Sequence, residues 1–323
     1  MVDGGHEGDR IGDAGPPEES KRAVIAAFLA NLGIAAAKLV AFGFTGAASM
    51  LAESVHSLAD TGNQGLLLLG RRRARRPADD AHPFGYGRER YFWAFVVAVI
   101  LFTLGALFAL LEGIEKLAKP HKVDSPTWAI VTLLVAVVLE SLSFRTALHE
   151  VGEERAGRSL WRFVIETKSP DLPVVLLEDT GALIGLLFAL AGIILAVVTD
   201  NGRFDALGSL GIGILLGVLA IVLARQMKSL LIGERADSDV EATICREVEA
   251  GGRVLRLYAL RTEHLGPDEL LVTAKIDLDP SLTFAQVARE IDDAEARVRA
   301  AVPEARLIYL EPDVFRPELA GYE

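Results

Sequence analysis

Two stretches of this chain put metal-ligating side chains inside long apolar runs. In Leu51-Ala-Glu-Ser-Val-His-Ser-Leu-Ala-Asp60, His56 and Asp60 stand four residues apart. On a helix that spacing places them on one face, one turn apart and ~40° around the axis. An imidazole and a carboxylate so placed can bind one metal ion together; the competing reading is a His–Asp hydrogen bond that only pins a helix interface. The second stretch, Val174-Val-Leu-Leu-Glu-Asp-Thr-Gly, supplies Glu178 and Asp179. Neighbouring helical residues point ~100° apart, so at most one of these two faces a common site squarely. His56, Asp60 and either Asp179 or Glu178 make a three-ligand site with a position open to water or substrate. Asp costs about +2.5 to +3.5 kcal/mol at a membrane-helix centre, so both carboxylates need a reason to be there.

The elements that carry these residues follow from composition. Apolar residues make up 51% of the 323 and come in long blocks, which the charges avoid. Six stretches, 22–43, 48–70, 91–111, 127–148, 172–198 and 206–227, are long enough to cross ~30 Å of hydrocarbon, which takes about 20 helical residues. Each is expected to be a helix, because only closed backbone hydrogen bonding survives in lipid. Seven arginines from Arg71 to Arg90 lie between the second and third stretches; Arg155, Arg158, Arg162 and Lys168 lie between the fourth and fifth, and Arg225, Lys228 and Arg235 follow the sixth. Cations are held on the cytoplasmic side during insertion, so both termini are expected there. Residues 1–20 are rich in Gly, Asp, Glu and Pro, lack an apolar run, and are expected to be a disordered tail without a cleavable signal.

After Gly233 the pattern becomes that of a soluble domain, expected over 234–316 with a short tail at 317–323. Ser238 with Glu241 and Thr283 with Gln286 read as capping boxes opening helices that end near 250 and 303. Strands are expected over 254–262, 270–278 and 306–310, with Leu270, Val272, Ala274, Ile276 and Leu278 on one face of the second. The order α-β-β-α-β describes a small α+β sandwich with helices on one side of a three-stranded sheet. From Ala236 onward 19 acidic residues face 10 basic ones, which disfavours nucleic-acid binding. The single cysteine, Cys245, excludes an internal disulfide and a thiolate zinc cluster.

Together these motifs resemble the cation diffusion facilitator family of divalent metal exporters. The resemblance rests on Ser54-Val-His-Ser-Leu-Ala-Asp60-Thr, on His82-Pro-Phe-Gly-Tyr-Gly-Arg-Glu89 before the third crossing, and on Asp179. It implies six transmembrane helices and a ferredoxin-like cytoplasmic domain through which the chain forms a homodimer. It also implies that His56 and Asp60 form half of the transport site and Asp179 belongs to the other half. The family usually carries a His or Asp one turn before that aspartate, where this chain has Val175, so Glu178 or water is expected to complete the shell. The Leu-Leu-Glu-Asp wording is similar to the branch containing the mitochondrial zinc transporter of animals. Asp79, Asp80 and His82 fall where some relatives bind a second metal, yet Tyr86 replaces the expected histidine, and Pro83, Phe84 and Gly85 read better as a structural turn. In the tail domain His264 is accompanied only by Tyr258, Lys275 and Leu310 at the positions where relatives hold zinc, so a metal-free dimerisation module is expected.

The resulting expectation is a proton-coupled exporter of zinc, with cobalt, manganese and iron as further candidate cargo, no prosthetic group and no enzymatic activity. It would sit in a bacterial inner membrane, its partners being the metal ion, protons, lipid and a second copy of the chain. Two rivals remain: a non-transporting partner subunit, suggested by Val175, and an intramembrane zinc hydrolase, which lacks a His-Glu-x-x-His pair here. Asn31, Lys38, Asn63 and Glu140, polar residues inside the apolar stretches, are read as structural.

Overall fold

The structure is a computed structural model and describes residues 32, 33, 36, 40, 48–120, 126–155, 157 and 159–314. The expected first crossing lies almost wholly outside these residues, as do the tails at 1–20 and 317–323. The chain divides into two compact units, Met1–Gly65 and Leu66–Glu323.

Helix α1 (Ala48–Ala74) covers the expected second crossing. Glu53, His56, Asp60, Asn63 and Gln64 leave it too polar to stand among the helices that qualify as membrane spans by length and composition alone. Four spans do qualify among the described residues: Glu89–Ala118, Ala129–His149, Asp171–Thr199 and Arg203–Ile232. The first is built from α2 (Glu89–Val96), a π-helical stretch (Val97–Phe102) and α3 (Thr103–Ala118). The second lies within α4 (Pro126–Glu154). A short α5 (Leu160–Glu166), capped by the Ser159 hydroxyl accepting from Arg162 N–H, leads into α6 (Asp171–Thr199) and then α7 (Arg203–Ile232).

Helix α7 is the hub: α2, the π-helical stretch, α3 and α6 all pack on it, and α4 packs on α6. Tyr91, Phe163, Leu223, Met227 and Leu230 are fully buried at the heart of this bundle, whereas Phe108, Leu139, Val198 and Ile214 stand exposed on outer faces, where lipid can solvate them. Helices α6 and α7 meet backbone to backbone. A Cβ added to Gly208 would lie 2.8 Å from the Phe188 carbonyl oxygen, and one on Gly192 would lie 3.0 Å from that of Phe204.

The remaining elements form the small domain: α8 (Ser238–Glu249), β1 (Val254–Gly266), β2 (Glu269–Leu278), α9 (Phe284–Ala301) and β3 (Ala305–Pro312). The sheet order is β1-β2-β3, with β1 antiparallel and β3 parallel to β2. Leu270, Val272, Ala274 and Ile276 are buried on one sheet face with Ile244, Val248, Ala294 and Val298 of the two helices, as the alternation in β2 predicts. Strand β1 runs four residues further than expected, because Gly266-Pro-Asp-Glu269 closes a tight hairpin and three register shifts absorb the extra length. The capping box at Thr283 and Gln286 is present. The one expected at Ser238 is not: Ser238 is already helical, Asp237 is the N-cap, and Glu241 accepts instead from the Thr262 hydroxyl at 2.9 Å. Tertiary contact with β1 outcompetes the local cap there.

Gly208→Val is expected to force α6 and α7 apart at a cost of about 1–3 kcal/mol, the usual range for overpacking. The readout is the thermal midpoint of the detergent-purified protein, and an unchanged midpoint would mean that the helices do not meet at this glycine.

Candidate metal centre

Asp179 lies two turns into α6, at about 12 Å from the helix start by helical rise. It is buried, and the Ser143 hydroxyl of α4 donates to its Oδ2 at 3.2 Å. Glu178 is half-buried beside it, and Val175, one turn earlier, is an apolar half-buried neighbour. A carboxylate held this way inside an apolar helix pair can accept a cation without first being turned inward from lipid. His56 and Asp60 lie on α1, and their side chains fall outside the described residues. Among the described residues no three His, Cys, Asp or Glu side chains converge as a metal cluster.

The loop before α2 is closed on itself. Asp79 Oδ1 accepts from the backbone N–H of Ala81 at 3.1 Å and of His82 at 2.7 Å, while Oδ2 accepts from the Tyr86 hydroxyl at 2.7 Å. The Tyr86 hydroxyl, followed by the His82 backbone, holds the Asp79 carboxyl below its usual range. The His82 ring stacks on Tyr86 with centroids 4.3 Å apart. Both oxygens of Asp79 thus accept hydrogen bonds that shape a turn, the role that Pro83, Phe84 and Gly85 suggest, and the His82 Nδ1 lies 3.4 Å from Asp79 Oδ1.

In the small domain, the positions where relatives were expected to hold zinc are used otherwise. Lys275 Nζ donates to Asp313 Oδ2 at 3.2 Å, and Leu310 is buried in the core. The Val314 backbone N–H, Lys275 and the Tyr258 hydroxyl together push the Asp313 carboxyl down to about 2. His264 is buried where β1 meets the end of the membrane unit, its backbone N–H donating to the Glu234 carbonyl at 2.9 Å. Burial, and then the nearby Lys168 ammonium, lower the pKa of its imidazole below 6.5.

Two residues here are not singled out by the sequence. Ser143 is one hydroxyl among several on an apolar stretch, and such a hydroxyl ordinarily bonds its own backbone. Asp171 stands just before the expected span, where an acid in the first turn beside Pro173 is the signal of a helix start.

Ser143→Ala removes one donor from Asp179 and is expected to raise the KM for metal severalfold, matching about 0.5–1.5 kcal/mol for a hydrogen bond, with protein level unchanged. An unchanged KM would separate Ser143 from the site. His264 gives a pH signature in the small domain. Its folded pKa lies below the unfolded 6.5, so the unfolded state takes up the proton first and stability falls as pH drops through 6.5. Urea melts of the wild type and of His264→Gln across that range check this, and the variant is expected to lose the slope.

A family model described as the cation efflux transmembrane domain matches residues 24–232. The proton-coupled zinc antiporter SLC30A9, mitochondrial, of Mus musculus is 31% identical over 80% of this chain and 47% of its own length. Metal tolerance protein C4 of Arabidopsis thaliana is 30% identical over 81% of this chain and 58% of its own length. The chain therefore spans about half the length of the first of these relatives. The cation-efflux pump FieF of Shewanella oneidensis is 28% identical over 90% of this chain and 91% of its own length. With a family domain covering most of the chain, and with an acid-bearing helix packed against two apolar spans inside it, this protein belongs to the cation efflux, or cation diffusion facilitator, family.

Proposed function

We propose that this protein exports a divalent transition metal, zinc first, across a membrane in exchange for protons by alternating access. The observation that carries the reading is the buried Asp179, oriented by Ser143 two turns into an apolar helix of a cation efflux domain. The similarity to a proton-coupled zinc antiporter of Mus musculus supports zinc and protons. Six crossings with cytoplasmic termini, and a homodimer through the small domain, complete the proposed architecture. Alanine- and arginine-rich usage favours a bacterial inner membrane.

His56, Asp60 and Asp179 are the proposed ligands, with water or Glu178 completing the shell that Val175 leaves short. His56 must be neutral to ligate, so metal binding expels protons and a proton gradient can drive release. A nitrogen among carboxylates suits zinc or cobalt better than magnesium or calcium, which prefer all-oxygen shells. Manganese and iron fit through the oxygen donors. Val175 also supports the rival reading, a partner subunit that binds metal weakly and does not transport it.

Zinc uptake into proteoliposomes decides between these. The exporter reading expects uptake by the wild type and its loss in Asp179→Asn, by about 100-fold or more for a charge removed from one metal shell. An active Asp179→Asn protein would overturn the site. If water completes the shell, Glu178→Gln is mild and Val175→His tightens binding; if Glu178 does, Glu178→Gln is nearly as severe as Asp179→Asn and Val175→His changes little. An inactive wild type that nevertheless binds zinc would favour the partner-subunit reading.

A further inference from the structure

Five of the six residues at 71–76 are arginines, and they directly follow the apolar run 66–69 and Gly70. They sit at the end of α1, where it packs on the start of α2: a Cβ added to Gly70 would lie 3.0 Å from Trp93 Cβ. Two of the five are used by the fold. Arg71 Nε donates to the buried Asp171 at 3.0 Å, and Arg73 lies 3.8 Å from Glu89, with its guanidinium carbon 5.5 Å from the centre of the Trp93 ring. The other three, Arg72, Arg75 and Arg76, are exposed and meet no carboxylate among the described residues. Arg76 lies over the Tyr86 ring at 5.9 Å, a stacking contact that steadies its planar fork and leaves the N–H edge open. Positions 71–90 carry seven arginines against Asp79, Asp80 and Glu89, an excess of four cations.

Beside these guanidiniums is a cavity of about 730 Å³ with mostly apolar walls. Phe84, Tyr86 and Phe92 line it with Leu231 of α7 and Leu265 of β1, and Glu89, the partner of Arg73, is part of its wall. Phe92 stands in the first turn of the span Glu89–Ala118. Phe84 and Phe92 are each about half exposed. Open aromatic rings are costly in water and uncompensated guanidiniums are costly in hydrocarbon, and both costs are smallest at headgroup depth, where arginines and aromatic rings collect. An aqueous phosphate would satisfy the guanidiniums and leave Phe84 and Phe92 bare. A zwitterionic lipid would cover the rings but bring its own cation against the arginines. A lipid with a net negative headgroup meets both demands: arginine forks bind phosphate oxygens in pairs, and cations clustered beside a span attract anionic headgroups.

We propose that Arg72, Arg75 and Arg76, together with the cavity walled by Phe84 and Phe92, form a binding site for one anionic phospholipid. Its phosphate sits on the guanidiniums, and its glycerol end and upper acyl chain lie along the two rings. The site is separate from Asp179 and does not depend on which ion the protein carries.

The test is native mass spectrometry of the full chain, purified in a neutral detergent and titrated with dioleoyl-phosphatidylglycerol or dioleoyl-phosphatidylcholine. The wild type is expected to hold one phosphatidylglycerol per chain about tenfold more tightly than phosphatidylcholine, with the preference shrinking as salt rises. Replacing the three arginines together, Arg72→Gln, Arg75→Gln and Arg76→Gln, leaves Arg71, Arg73, Arg88 and Arg90 in place and is expected to abolish the preference. Phe84→Ser is expected to weaken both lipids about threefold or more, through lost apolar contact. Arg162→Gln, which removes an exposed cation paired with Glu166 in another link, is expected to behave like the wild type. Equal affinity of the wild type for the two lipids would overturn the proposal whatever the variants do. A triple variant that keeps the preference, or a Phe84→Ser protein that keeps both affinities, would place the lipid elsewhere and overturn it as well. An equal loss in Arg162→Gln would mean diffuse attraction to net charge with no built site. Displacement of phosphatidylglycerol by glycerol phosphate at comparable concentration would make the ligand an aqueous phosphate and refute the lipid.

Discussion

No polar group can be left bare in hydrocarbon, and the rest of this structure is arranged around that penalty. Among the described residues it closes the backbone of the long apolar stretches into helix and lets the exposed leucines, valines and isoleucines of α3, α4 and α7 face outward without cost. It also means that a carboxylate found deep in a span must be facing protein. Asp179 does: it is buried against α4 and engaged by a hydroxyl.

Helix α6 carries two buried acids, and they are handled differently. Asp171, at the helix start, is met by the guanidiniums of Arg71 and Arg90, cations supplied by the protein itself. Asp179, two turns deeper, accepts from the Ser143 hydroxyl, which orients one of its oxygens. The first arrangement ties the helix start to two other segments of the chain, and the second holds a carboxylate against a neighbouring helix.

The accessory positions show the opposite economy. Asp79 is engaged by Tyr86 and the backbone, Lys275 by Asp313, and Leu310 by the core. At these positions the side chains are engaged with one another and with the backbone. The β1–β2 hairpin also comes into close contact with the loop at Gly87.

Much of this was legible in the sequence. Long apolar blocks can only be helices in lipid, the period-two run from Leu270 to Ile276 can only bury one face, and His56, Asp60 and Asp179 announce themselves as costly residues in apolar surroundings. Those signals are local, or are set by burial energies large enough to override context. What the tertiary structure alone decided depends on partners distant in sequence. Ser143 reaches Asp179 across a helix pair, Thr262 takes Glu241 away from its cap, and Arg90, which by position reads as one more cytoplasmic cation, sits between Asp171 and Asp268. An arginine's neighbours are fixed by how helices and hairpin pack, and residue order carries almost no trace of that, because an exposed cation and a bridging one are spelled alike.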